Sequence, residues 1–174
     1  FNPQAIANTL LAINQMGVKW DALPSQRLRN ALYTAIDRNV NQFNPQNIAN
    51  TLLAINQMGV TWDALPSQRL RDALYTAIDR NVNQFNPQEI ANTLLAINQM
   101  GVTWDALPSQ RLRDALYTAI DRNVNQFNPQ AIANTLLAIN QMGVTWDALP
   151  SQKLRNALYT CLLYTSPSPR DKHR

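Results

Sequence analysis

An all-α fold, an α-solenoid of two-helix repeats, is predicted by three observations. The tetrapeptide FNPQ starts at Phe1, Phe43, Phe85 and Phe127, so a 42-residue unit runs through the 174-residue chain. Each unit carries two apolar patterns of helical spacing, and no segment alternates as a strand does. A hairpin this short cannot bury both apolar faces alone, whereas stacked neighbours can. The period falls in the HEAT and armadillo range, and two helices per unit favour the HEAT-like form. Three complete units (1–42, 43–84, 85–126) are followed by a truncated fourth, 127–160.

The first helix of the unit is expected from Pro3 to about Met16. Asn2 is a good N-cap, and Pro3 sits where its missing N–H costs nothing. Phe1 and Ile6 have the spacing of a hydrophobic staple, and Asn86 with Glu89 adds a capping-box pair in the third unit. Gly17 supplies the stop. In the linker GVKWDALPS, Trp20 and Leu23 are the natural plugs for the closed end of the hairpin. Pro24 or Ser25 opens the second helix, which carries Leu28, Ala31, Leu32, Ala35, Ile36 and Val40 at helical spacing and fades in RNVNQ.

Composition narrows the chemistry. The net charge is +4, of which the repeats to Thr160 carry +2 and the last 14 residues +2, so the repeats are close to neutral. The only Cys (Cys161) and the only His (His173) also lie in that last stretch. Within the repeats there is then no disulfide framework, no soft metal site and no Ser–His or Cys–His pair. One glycine per unit leaves no phosphate loop. No enzyme site, cofactor or metal is expected, and with no run of about 18 apolar residues no membrane span either.

The ending CLLYTSPSPRDKHR breaks the repeat in the middle of the second helix, where Cys161 takes the place of Ala35, Ala77 and Ala119. Back-translated, CLLYTSPSPRD resembles a transposon-end adapter used to prepare sequencing libraries. Residues 161–174 are therefore expected to be non-native, and the chain a fragment open at both ends. Uncapped solenoid ends would favour self-association. The expected setting is soluble, intracellular or secreted in the manner of an effector.

A helical projection of the first helix leaves a polar, mostly uncharged track of Gln4, Asn8, Gln15 and position five of the unit. Position five varies most in chemistry: Ala5, Asn47, Glu89 and Ala131. Its two readings are a modular reader and drift at an exposed helix start. Asn14 and Asn39 fall inside apolar arcs, where an amide must be hydrogen-bonded, and are expected to tie adjacent units together. Arg27, Arg29 and Arg38 read as a solvated face, with a phosphate-contacting stripe as the rival. Trp20 and Tyr33 read as packing, with base stacking as the rival.

The run IANTLLAINQMG from Ile6 to Gly17, preceded by FNPQ, resembles the first-helix signature of octotricopeptide-type repeats and related tandem repeats of intracellular bacteria. It covers about sixteen residues per unit, four times over, in a repeat architecture. The resemblance implies an α-solenoid that binds single-stranded RNA, at about one base per repeat. Leu11 stands where Trp is common, Asn14-Gln15 replaces a small residue followed by a basic one, and the period is longer than usual. On the resemblance, the candidate readers are position five and position eight (Asn8, Asn50, Asn92, Asn134). The helical track adds Gln15, Gln57, Gln99 and Gln141. Single-stranded RNA is the first expected partner. An extended protein partner is the second, and a structural spacer is the third reading.

Overall fold

Asparagine starts every first helix. The computed structural model describes residues 1–165, with side chains as far as Thr160. The first helices are α1 (Pro3–Gln15), α3 (Pro45–Gln57), α5 (Pro87–Gln99) and α7 (Pro129–Gln141). Asn2, Asn44, Asn86 and Asn128 each accept the backbone N–H three residues on, at 2.7–2.8 Å. In two units that residue returns the bond. Glu89 Oε1 accepts from Asn86 N at 3.0 Å, and Asn47 Oδ1 accepts from Asn44 N at 3.1 Å. The second of these boxes was not expected, because the motif is usually written with Glu or Gln.

Each first helix ends one residue earlier than expected, with the methionine as its C-cap. Gly59, at φ +95°, then takes the left-handed conformation. Its N–H reaches Asn56 O at 2.9 Å, and Val60 N–H reaches Ile55 O at 3.0 Å, the paired bonds of a Schellman motif. The linker contains an unforeseen 3₁₀ turn in every unit, as at Trp62–Ala64. Serine, not proline, caps the second helix. Ser67 Oγ accepts Leu70 N–H at 3.1 Å, and its counterparts do the same.

The second helices are α2 (Gln26–Asn39), α4 (Gln68–Asn81), α6 (Gln110–Asn123) and α8 (Gln152–Thr165). The backbone of Cys161–Thr165 continues α8, while residues 166–174 of the expected non-native tail lie outside the described residues. No described residue is in a strand, and the chain is an α-solenoid of tandem helical hairpins.

The two helix layers pack differently. First helices stack directly, α1 on α3, α3 on α5 and α5 on α7. Buried alanines such as Ala49, Ala54, Ala91 and Ala96 sit in these helices, small enough to let neighbours approach closely. The second helices meet the preceding unit chiefly through 3₁₀ turns, α4 against Val40–Gln42 and α6 against Val82–Gln84. One hydrophobic core runs through all four units, and Trp62, Leu65, Phe43 and Phe85 close it at the hairpin ends.

Polar groups pin the junctions. Buried Asn81 donates through Nδ2 to Phe43 O at 2.9 Å and Ala77 O at 2.8 Å, and Asn123 repeats this with Phe85 O and Ala119 O. Arg80 adds a bond to Val40 O of the preceding unit at 3.0 Å. The expectation that the second-helix asparagine is a structural tie thus holds where a unit precedes it. By contrast, the Thr51 and Thr93 hydroxyls are buried with no partner. Their counterparts Thr9 and Thr135 bond the carbonyl four residues back, at 2.6 and 2.8 Å.

Within each complete unit Trp packs on Tyr as one tilted pair. The ring centroids are 4.6 Å apart for Trp20–Tyr33 and Trp62–Tyr75, and 4.8 Å for Trp104–Tyr117. Burial, reinforced by Asp63 and then Asp72, pushes the Tyr75 phenol up to about 12, and burial likewise raises Tyr33 and Tyr117.

Three outcomes follow from these contacts. Asn81→Ala removes two bonds from a buried site and should lower stability by about 1–3 kcal/mol in urea denaturation. Thr51→Val removes a hydroxyl that bonds to nothing and should leave stability unchanged or higher, whereas Thr9→Val should lower it. The folded chain holds the Tyr75 proton above the ordinary value of 10.0. Its contribution to stability is therefore complete below pH ~10 and declines from there towards pH ~12. In an alkaline absorbance titration, Tyr75→Phe should delete a tyrosinate step near the top of that range.

Candidate functional site

The polar side of the first helices is largely occupied by its own contacts. Position five is the third residue of each helix, so its side chain turns back towards the cap instead of outward. Asn47 is 3% exposed and Ala131 2%, while Ala5 and Glu89 are half-buried. Asn47 also donates through Nδ2 to Gln4 Oε1 of the preceding unit at 3.2 Å. The most variable position therefore lies in the caps and the seam between units.

Positions eight and fifteen lie nearer the surface but are not free. Asn8, Asn92 and Asn134 accept from Gln4, Gln88 and Gln130 at 3.1, 2.9 and 3.1 Å, and Asn50 is half-buried. Gln57, Gln99 and Gln141 accept from Asn14, Asn56 and Asn98 of the preceding unit. Gln15 has no preceding unit and stays exposed. Asn14 was expected to tie units together through backbone groups. It ties them, but through a side-chain amide. Each primary amide has two donor and two acceptor positions, so these rungs keep spare capacity.

The second-helix arginines are also mostly spoken for. Arg29, Arg71, Arg113 and Arg155 each donate to a linker carbonyl, Leu23 O, Leu65 O, Leu107 O or Leu149 O, at 2.8 Å. Arg80 and Arg122 clamp the junctions through Val40 O and Val82 O. Arg69 and Arg111 have side chains that are 84% exposed and form loose ion pairs with Asp37 and Asp79 of the preceding unit at 3.8 and 3.9 Å. No continuous basic stripe results.

The looser second-helix layer contains a surface feature that single-unit reasoning missed. Between successive second helices lies a polar groove, recurring three times with volumes of about 190–230 Å³. In the middle groove one wall carries Asp72, Tyr75, Thr76 and Asp79, and the other Pro108, Ser109 and Leu112. The first has Asn30 in place of Asp72, and the third repeats the middle one with Asp114, Tyr117, Thr118 and Asp121. Both walls were visible in the sequence, but their meeting depends on the offset between units. Among the described residues no group of three or more metal-ligating side chains comes together, and no helix is long and apolar enough to cross a membrane.

One family model matches the chain, described as "Protein of unknown function (DUF1601)". It matches residues 1–10, 16–52, 58–94, 100–136 and 142–164. After the first, each match begins at the methionine that caps a first helix, and the matches recur with the unit. Each full match runs through the linker, the second helix and the junction into the next first helix. No curated protein matches the chain. With most of its length covered by tandem matches, the chain belongs to the DUF1601 family.

Proposed function

We propose that the chain is a non-catalytic scaffold that holds an extended polypeptide across its repeats. One observation carries this reading: the same groove occurs three times at the interval of the unit. A repetitive surface suits a partner that is itself extended. The second reading is single-stranded RNA, supported by the octotricopeptide-like first-helix motif and by the spare amide capacity at Asn8, Asn50, Asn92 and Asn134. It has less support, because RNA binding draws on phosphate contacts. Most arginines here are bonded to carbonyls, and Lys19 donates to Gln57 O at 2.7 Å.

Fluorescence anisotropy with the full chain tests the choice. Pools of labelled dodecamer peptides (acidic, neutral and basic) and of single-stranded RNA are titrated at low and moderate salt. At least one peptide pool should bind and survive moderate salt, while RNA should bind weakly and be lost. The polypeptide reading fails if no peptide pool binds. It also fails if RNA alone binds and that binding is lost in an Asn50→Ala/Asn92→Ala variant.

A further inference from the structure

We propose that the two ends of the array bind one another: a second copy of the chain docks its fourth unit onto the first unit of its neighbour, in the register of an internal junction. The large apolar side chains that stay exposed all lie in the first and last units: Phe1, Met16, Leu28, Leu137, Trp146 and Tyr159. Met16 is 77% exposed, whereas Met58 one unit on is 1% exposed. At the other end Trp146 is 47% exposed, and Trp104 one unit back is 6% exposed. The residue types are the same in each pair, so the difference lies in having a neighbour. A preceding unit covers the methionine, and a following unit covers the tryptophan. Contiguous apolar surface of this kind marks an interaction site.

Hydrogen-bonding groups left over at the same two ends match each other. At every internal junction a tryptophan N–H donates to the methionine carbonyl of the following unit: Trp20 to Met58, Trp62 to Met100 and Trp104 to Met142, each at 2.9 Å. Asn14, Asn56 and Asn98 likewise donate to Gln57, Gln99 and Gln141. Each series leaves one donor and one acceptor unused. Among the described residues, Trp146 N–H and Asn140 Nδ2 have no acceptor, and Met16 O and Gln15 Oε1 have no donor. Both unused donors belong to the fourth unit and both unused acceptors to the first. Only the meeting of opposite ends completes the two bonds, which names the occupant of each face as a second copy of this chain.

The apolar surfaces also continue an interface that the chain already uses three times. Ile13, Leu28, Leu32 and Ala35 line a groove of about 570 Å³ on the outer face of the first unit. The same residues one unit on, Ile55, Leu70, Leu74 and Ala77, belong to the core. On the fourth unit Leu136, Val144, Trp146 and Leu149 border a smaller hollow of about 210 Å³. Internally Tyr33 shares a groove with Leu70, and Tyr117 with Leu154. The equivalent pair across the new junction is Tyr159 of one copy and Leu28 of the other.

Charge contributes little to this contact. Leu163 stands in the sequence where the earlier units have Asp37, Asp79 and Asp121, so the loose pairs made by Arg69 and Arg111 do not extend to Arg27 of the docked copy. Apolar burial and the two amide and backbone bonds of the first-helix layer carry the association. The contact is also intermolecular, so it bears the cost of lost rigid-body freedom that an internal junction avoids, and it is weaker than that junction. Each docking leaves one free end of each kind, so association proceeds stepwise past the dimer. None of this depends on what the second-helix grooves hold.

Analytical ultracentrifugation of the full chain tests this with two end variants. Leu28→Glu charges the first-unit face and Leu137→Glu the fourth-unit face. Both sites are exposed in the single chain, so the circular dichroism should not change. The weight-average mass of the parent should rise about twofold or more between about 5 and 500 μM. Its tryptophan emission should shift to the blue over the same range, as Trp146 leaves water. Each variant alone should stay monomeric, because the face that its intact end needs is spoiled on every copy. An equimolar mixture of the two should form a dimer and stop there, having one intact face of each kind. A parent that stays monomeric over that range overturns the inference. So does either variant that still associates alone, which a contact between like ends would produce, and so does a mixture that stays monomeric.

Discussion

A single backbone hydrogen bond sets the register of the whole array. Trp20 N donates to Met58 O at 2.9 Å, and the same bond joins Trp62 to Met100 and Trp104 to Met142. Both partners are groups that helix ends leave without an intrahelical mate. The tryptophan opens a 3₁₀ turn, so its N–H is free. The methionine caps a helix whose Schellman turn has already satisfied two other carbonyls, so its C=O is free. Joining the two satisfies both and fixes how far one unit slides along the next. The Asn–Gln rungs, the Asn81 clamp and the grooves recur at constant positions because this register is constant.

The two layers then divide the work. Alanine-rich first helices approach closely, and their polar edge is knitted by amides reaching from unit to unit. That layer gives stiffness and little free surface. The second helices are held apart by the 3₁₀ turns beneath them, so surface opens between them. Most of their arginines fold back onto linker and junction carbonyls, while Arg69 and Arg111 stay exposed beside Asp37 and Asp79 of the preceding unit.

Much of this was legible in the residues. The period stands in the recurrence of FNPQ, and the asparagine caps, the glycine stop and the Trp and Leu plugs each depend on chemistry within a few residues of the chain. The candidate surface was less legible. A helical wheel places position five on the polar arc, but the third residue of a helix also serves the cap, and Asn47 follows the cap. The pairing of Gln57 with Asn14 spans 43 residues, one unit plus one, and projecting a single helix cannot reveal it. The grooves likewise take one wall from each of two units. Arg29 and Arg38 look solvated on a wheel, yet Arg29 and the equivalents of Arg38 at Arg80 and Arg122 bond to carbonyls exposed by chain breaks that no periodicity marks.

The tryptophan-to-methionine bond is also directional. The surface that donates on one unit differs from the surface that accepts on the next, so the contact is head-to-tail and nothing in it closes. Every junction uses the same donor, the same acceptor and the same flanking glycine. Duplicating or deleting a whole number of units therefore leaves each new pair of neighbours already matched, with no second mutation needed to repair the seam. Array length, and with it the number of grooves in a row, becomes something that recombination between identical stretches of gene can change in a single step.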